Sequence, residues 1–167
     1  MANIKIKIGD VFKAVIEDKA KFFQYIGFDT TQLNSAVIKV FKTYYSTAEN
    51  PNIITITGDA VDFYAHCLLS TGVKINCWTK IGNSAIQNSE TPLFRDTYDY
   101  GRAYWEEPIL VSNNWVIWHM NEEMHRVGKL TGKNQTADIG MVMQPKDIMH
   151  RMQYGTYGMP FYPTFDT

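Results

Sequence analysis

The sequence predicts a mainly β chain: a strongly curled antiparallel sheet or partly open barrel, with one C-terminal α-helix. Three observations carry that expectation. Short stretches that alternate between apolar and polar residues recur from Asn3 to Phe41, each bounded by a turn signal. Strands this short and this closely spaced imply a meander, whose parent class is a sandwich or barrel. A helical period, by contrast, shows only near the end, between Pro145 and Gly155.

Taken in order, Ile4, Ile6 and Ile8 alternate with Lys5 and Lys7, the period of a half-buried strand, which Gly9-Asp10 ends. Phe12, Ala14 and Ile16 share one face of a second strand, and Glu17-Asp18-Lys19 supplies a polar turn. The third strand carries aromatics on both faces (Phe22 and Phe28 on one, Phe23 and Tyr25 on the other), so both sides should be covered. After a polar connection from Asp29 to Ser35 comes Ala36–Tyr45, rich in β-branched and aromatic residues. Asn50-Pro51-Asn52 marks a loop, and Ile53–Thr57 reads equally as a short strand or a turn of helix.

A hairpin is expected next. Phe63, Ala65, Cys67 and Leu69 would share a face, Ser70-Thr71-Gly72 would turn, and Val73, Ile75 and Cys77 would continue that face. Both cysteines then lie on one buried face, opposite or diagonal, as small core residues. Residues 82–108 are the least regular part, with a short strand at Leu93–Asp96. Sheet resumes at Ile109–Val111, Trp115–Met120, Met124–Leu130 and Ile139–Met143, with turns at Asn121-Glu122-Glu123 and Thr131–Asn134. Pro145 at a first helical position, Asp147 in the first turn and Gly155 as a stop define a helix of roughly ten residues, about 145–154. The expected organisation is one domain over 1–167, with a sheet-rich body at 3–143 and an extended aromatic tail at 156–167.

The composition is that of a soluble globular protein, 45% apolar and 20% charged, with enough length for a core that needs no staple. A net charge of −1 with scattered Lys and Arg argues against nucleic-acid binding by phosphate neutralisation. No apolar run reaches membrane-spanning length, and MANIKIKIGD has no apolar signal core. A cytoplasmic protein with reduced Cys67 and Cys77 is the resulting expectation.

Motifs for chemistry are missing. His66, His119, His125 and His150 stand in no zinc spacing. His66 alternates to the face opposite Cys67, so those neighbours cannot share a metal. His119 and His125, on adjacent strands, are the best acid–base or metal candidates. No nucleophile elbow, phosphate loop or dinucleotide fingerprint occurs, and Ser112 in VSNNW has no base beside it in sequence. Glu106-Glu107 and Glu122-Glu123 are adjacent pairs and not opposed carboxylates, and Glu122-Glu123 reads as a solvated turn. No catalytic residue, metal ligand or cofactor site is assigned. The one suggestive cluster is DTYDYGRAYWEEP, where Tyr98, Tyr100, Arg102, Tyr104 and Trp105 crowd together; Tyr, Trp and Arg are the types that anchor protein interfaces. Those five are the candidate partner-binding residues, and burial of the aromatics as a roof over the sheet is the competing outcome.

The opening KIGDVFKAVIEDKAKFFQYIGF has a Gly-Asp-Val-Phe lead into a strand, a charged turn and an aromatic strand ending in Gly. With VDFYAHC, SNNWVIWHMNEE and VGKLTGKN further on, it resembles the Imm26 immunity-protein family, some of whose members carry the name phosphotriesterase HocA-like. The resemblance implies a bacterial cytoplasmic protein that neutralises a cognate protein toxin of a polymorphic toxin system by binding it, without catalysis. The alternative that the second name implies is a small hydrolase with a site assembled from dispersed His and carboxylates. A structural protein that self-associates through an exposed strand edge is a third possibility.

Overall fold

The computed structural model describes residues 4–87 and 91–166. Asn3 at the start of the expected sheet body, residues 88–90 of the long loop, and Thr167 at the end of the tail lie outside the described residues. The organising unit is a hairpin of β1 (Asp10–Ile16) and β2 (Lys19–Asp29), followed antiparallel by β3 (Ser35–Phe41). Every residue of β3 is buried, as a central strand covered on both faces requires. Phe12, Ala14 and Ile16 do share one buried face. Phe12 lies opposite Phe23, Phe23 opposite Val40, and Val40 opposite Phe63, which makes a continuous apolar row across four strands.

The expected strand at Ile4–Ile8 does not form. Ile4 and Ile8 are exposed and only Ile6 packs on the core. Gly9 turns the chain at φ +93°, where a Cβ would be strained. The Asp10 carboxylate and backbone then close a local turn with Lys7 (2.9 and 3.1 Å). The free edge of β1, which that strand would have needed, is taken by β6 (below).

After β3 come β4 (Tyr45–Ser46), which pairs with the start of β2, and α1 (Ile53–Thr57), capped by the Asn52 side chain. β5 (Val61–Cys67) follows, and then α2 (Leu69–Lys74) stands where a hairpin was expected. Trp78 accounts for the difference. Its ring lies so close over Gly72 that a Cβ there would meet it at 2.0 Å, and its indole N–H donates to the Leu69 carbonyl at 3.0 Å. These contacts hold the turn as a helix, and the chain re-enters the sheet only at β6 (Trp78–Asn83), paired with β1. Cys67 is buried on β5, whereas Cys77 sits half-buried in the connection, so the two thiols do not share a strand face as expected.

The remaining strands are β7 (Leu93–Thr97), β8 (Trp115–His119), β9 (His125–Gly128), β10 (Asp138–Ile139) and β11 (Val142–Met143), before α3 (Pro145–Tyr154). A 3-10 turn occupies Gly132–Thr136. The expected strand at Ile109–Val111 reduces to one parallel bridge between Val111 and Thr164. The expected Ile139–Met143 strand is divided, because β10 pairs with β7 and β11 with β5. Gly140 lies at the division, where a Cβ would come within 2.1 Å of the Trp118 ring.

Among the described residues the strands form a seven-stranded sheet, β11-β5-β3-β2-β1-β6 with β4 on β2, and a four-stranded sheet, β10-β7-β8-β9. The chain is mainly β with a C-terminal helix, but neither sheet is strongly curled or closed into a barrel. Layering takes the place of closure. One face of the larger sheet is covered by α2, α3 and Trp78 through Phe12, Phe23, Ile38, Phe63, Ile148 and Met152. On the other face, α1 covers Phe22 and Phe41 through Ile56, while the smaller sheet covers Val37 through Phe94, Val116 and Trp118. With both faces covered in this way, the edges β11 and β6 have no need to meet.

Candidate interaction surface

Residues 97–112 leave the smaller sheet between β7 and β8 as a loop whose base is held by hydrogen bonds. Buried Ser112 is the clamp. Its hydroxyl donates to the Asp99 carboxylate (2.6 Å), lies 2.7 Å from the Thr97 hydroxyl, and accepts the Asn114 N–H (3.0 Å). The Asp99 N–H in turn donates to Thr97 Oγ1 (3.1 Å), and the Trp115 indole donates to the Ser112 carbonyl (2.8 Å). Ser112 is thus fully occupied in tying two strand ends together, with no histidine beside it.

From that base the loop presents its aromatics to water. Tyr104 is 96% exposed and Trp105 80%, with their rings edge to face at 6.1 Å. Tyr98 is 59% exposed, and the Arg126 guanidinium sits 5.1 Å from its ring centre. Arg102 reaches Glu106 at 3.2 Å, and a turn closed by Glu106 N–H on the Ala103 carbonyl fixes the tip. Tyr100 differs: it is half-buried, with its ring 4.9 Å from Tyr162 of the tail. Of the five residues expected to bind a partner, then, Tyr98, Arg102, Tyr104 and Trp105 face solvent, and Tyr100 roots the loop.

Tyr100, Arg102 and Tyr104 also line a cavity of about 750 Å³ between the loop and residues 158–161, whereas Tyr98 and Trp105 lie outside it. Phe161, exposed on the far wall, and the exposed Leu110 and Val111 extend the apolar area. Sequence reasoning missed these three. The composition of the tail marked it as extended, but nothing in it signals that Thr164 would bridge to Val111 and bring Phe161 alongside Tyr104.

The four histidines make separate contacts. His119 Nδ1 donates to the carbonyls of Thr91 (3.0 Å) and Pro92 (3.2 Å), and this residue lies in a surface depression with Glu122 and Lys133. His125 is exposed on β9 opposite Ile117, and His150 donates to the Thr156 carbonyl (2.8 Å) from α3. His119 and His125 do fall on adjacent strands, with His125 opposite Ile117 and His119 two residues further along β8. Among the described residues no group of His, Cys, Asp or Glu is placed to hold a metal ion. Burial pushes the Cys67 thiol far above its usual range, which removes it as a nucleophile.

One His–carboxylate pair does exist where none was expected. His66 Nε2–H donates to Asp29 Oδ2 at 2.9 Å, both side chains fully buried between the sheets. The Trp118 indole donates to the same oxygen (3.3 Å), and Oδ1 accepts the backbone N–H groups of Thr31 (3.1 Å), Gln32 (3.2 Å) and Asn121 (3.4 Å). Burial alone would raise the Asp29 carboxyl; the bonds from His66, Gln32 and Thr31 outweigh it and hold the group below the ordinary carboxylate value. Burial likewise lowers His66, against the pull of Asp29, and keeps its ring neutral. Through these bonds the pair fastens β2, β5 and β8 together. It is a structural staple.

No helix among the described residues is long and apolar enough to cross a membrane. Comparison with protein-family models, with curated proteins and with solved structures finds no match to this chain.

Proposed function

We propose that this chain is a binding protein of the toxin-immunity type, which neutralises a cognate protein toxin inside the bacterial cell by occluding it, without catalysis. The observation that carries the reading is the pair Tyr104 and Trp105, left almost wholly in water on a loop whose base is fixed by the Ser112 bonds. Aromatic side chains each bring roughly 150–250 Å² of contact area to an interface. Solvated aromatics of this kind are costly to keep unless a partner covers them, and contiguous exposed apolar area marks interaction sites. A held base reduces the ordering cost on binding, so the anchors contribute more of their contact energy to affinity. Arg102 is paired with Glu106 on the same loop, and Phe161 is exposed across the cavity from Tyr104, so polar and apolar groups are mixed at this surface.

The test is co-expression with the toxin module encoded beside this chain in the producing bacterium. Wild-type chain should restore growth and bind the purified module, and the double variant Tyr104→Ala/Trp105→Ala should lose protection while keeping its melting temperature. Protection that survives the double variant would remove the aromatic pair from the mechanism; absence of any binding to the module would remove the immunity reading itself.

A further inference from the structure

A separate cavity, of about 430 Å³, opens where the C-terminal tail crosses the junction of α3 with the smaller sheet. Arg95 from β7 and Arg151 from α3 both line it, with Asp138, Tyr157 and Tyr162 between and around them. Two guanidinium groups carry ten N–H donors. Protein acceptors take few of these. Arg95 Nη1 donates to the carbonyls of Gln135 (3.1 Å) and Ala137 (2.7 Å), while its Nε is covered and has no partner among the described residues. Arg151 Nη2 donates to Asp138 Oδ1 (2.7 Å), and the other Asp138 oxygen accepts the Tyr64 N–H (3.0 Å). The single lining carboxylate is therefore occupied on both oxygens and leaves one positive charge over.

Two further features point the same way. The Tyr157 hydroxyl is buried with no acceptor for its proton among the described residues, and burial pushes its phenol up to about 12, so it remains a donor. Burial also pushes the Asp138 carboxyl up, against the pull of Arg151. Ile139, Met159 and Phe165 give the cavity apolar wall beside Thr156 and Thr164, with the Phe165 ring centre 5.0 Å from the Arg95 guanidinium.

We infer that this cavity binds an oxyanion group, a carboxylate or phosphate, carried on a small molecule whose apolar body lies against Met159 and Phe165. The planar guanidinium fork matches both oxyanions, and two forks converging from β7 and α3 select for a group with several oxygens. Because the tail, the helix and the smaller sheet each contribute a wall, a bound ligand ties the three together and raises stability by mass action.

Thermal unfolding of the full chain with inorganic phosphate, with benzoate and with sodium chloride at equal ionic strength tests this. A saturable rise in melting temperature with phosphate or with benzoate beyond that with chloride is expected, and which of the two acts tells phosphate from carboxylate. Arg95→Gln should abolish the saturable rise. Should that variant fail to fold, Tyr157→Phe carries the test, with a loss of affinity of roughly fivefold expected for one missing hydrogen bond. Equal shifts with all three salts, or unchanged affinity in whichever of the two variants folds, overturns the assignment.

Discussion

The seam between the two sheets and the loop at 97–112 use the same residue types in opposite ways. At the seam, Trp118 and Phe94 are fully covered, and the indole N–H of Trp118 is taken by Asp29. On the loop, Tyr104 and Trp105 stand in water, although the loop's base is as well bonded as the seam. The contrast separates two roles for order. The Asp29 network fixes groups so that they can be buried; the Ser112 network fixes a backbone so that its side chains can be left out. Stability should accordingly reside in the first region and binding in the second, with little crossover.

The largest effect tests the seam. Asp29→Ala removes a buried carboxylate that five donors share and leaves His66, Trp118 and three backbone N–H groups without it. A loss of about 3 kcal/mol is expected, mainly from His66 and Trp118, because a stranded buried donor carries its full desolvation cost whereas the three backbone N–H groups lie nearer water. Urea unfolding measures it, and a loss under 1 kcal/mol would show that the staple is replaceable. Next in size is Gly140→Ala. The new methyl would meet the ring of buried Trp118 at 2.1 Å, so a cost of about 1–3 kcal/mol follows from overpacking. Restoration of stability by a smaller partner, in Gly140→Ala/Trp118→Phe relative to Trp118→Phe alone, would confirm that the clash is the cause.

The same seam sets a pH dependence. His66 is lowered from an ordinary value of 6.5, so below about pH 6.5 the unfolded chain takes up a proton that the folded chain refuses. Stability then falls with pH by up to about 1.4 kcal/mol per unit, for as long as the folded ring stays neutral. A second loss begins as pH drops from 3.8 through the lowered folded value of Asp29, where the stabilising charge disappears. Unfolding midpoints taken at steps from pH 8 to pH 5 should be flat above the first threshold and decline below it. In His66→Gln the decline between pH 6.5 and 5 should be shallower. An unchanged slope in that variant would move the effect to another group.

Some of this was legible in the residues and some was not, for reasons that differ by element. The helix over Pro145–Tyr154 followed from local signals, a proline at the first turn and a glycine stop, and local signals do decide such elements. The segment Ile4–Ile8 has equally good alternation, yet it lacks a partner edge; strand pairing is a tertiary property that alternation cannot report. The helix at Leu69–Lys74 depends on Trp78 closing over Gly72, a contact that spacing alone does not reveal. The aromatic loop was visible as composition, and its exposure could not be read from composition. The Asp29–His66 staple and the Arg95–Arg151 cavity join residues 37 and 56 positions apart, so no window of sequence contains them.

The smallest stability effect gives the sharpest form of the comparison, because it divides the loop itself. Tyr100 packs its ring 4.9 Å from Tyr162 and lies half-buried, whereas Tyr104, four residues on, has almost no protein contact to lose. Tyr100→Ala should cost roughly 1 kcal/mol through its lost aromatic pairing and burial, while Tyr104→Ala and Trp105→Ala should each stay within about 0.5 kcal/mol of wild type, as surface substitutions do. If the proposed function holds, toxin binding should show the reverse ranking, with the two exposed residues dominating. If Trp105→Ala destabilised the fold as much as Tyr100→Ala does, Trp105 would be acting as core, and the division of labour between seam and loop would fail at the residue on which it depends most.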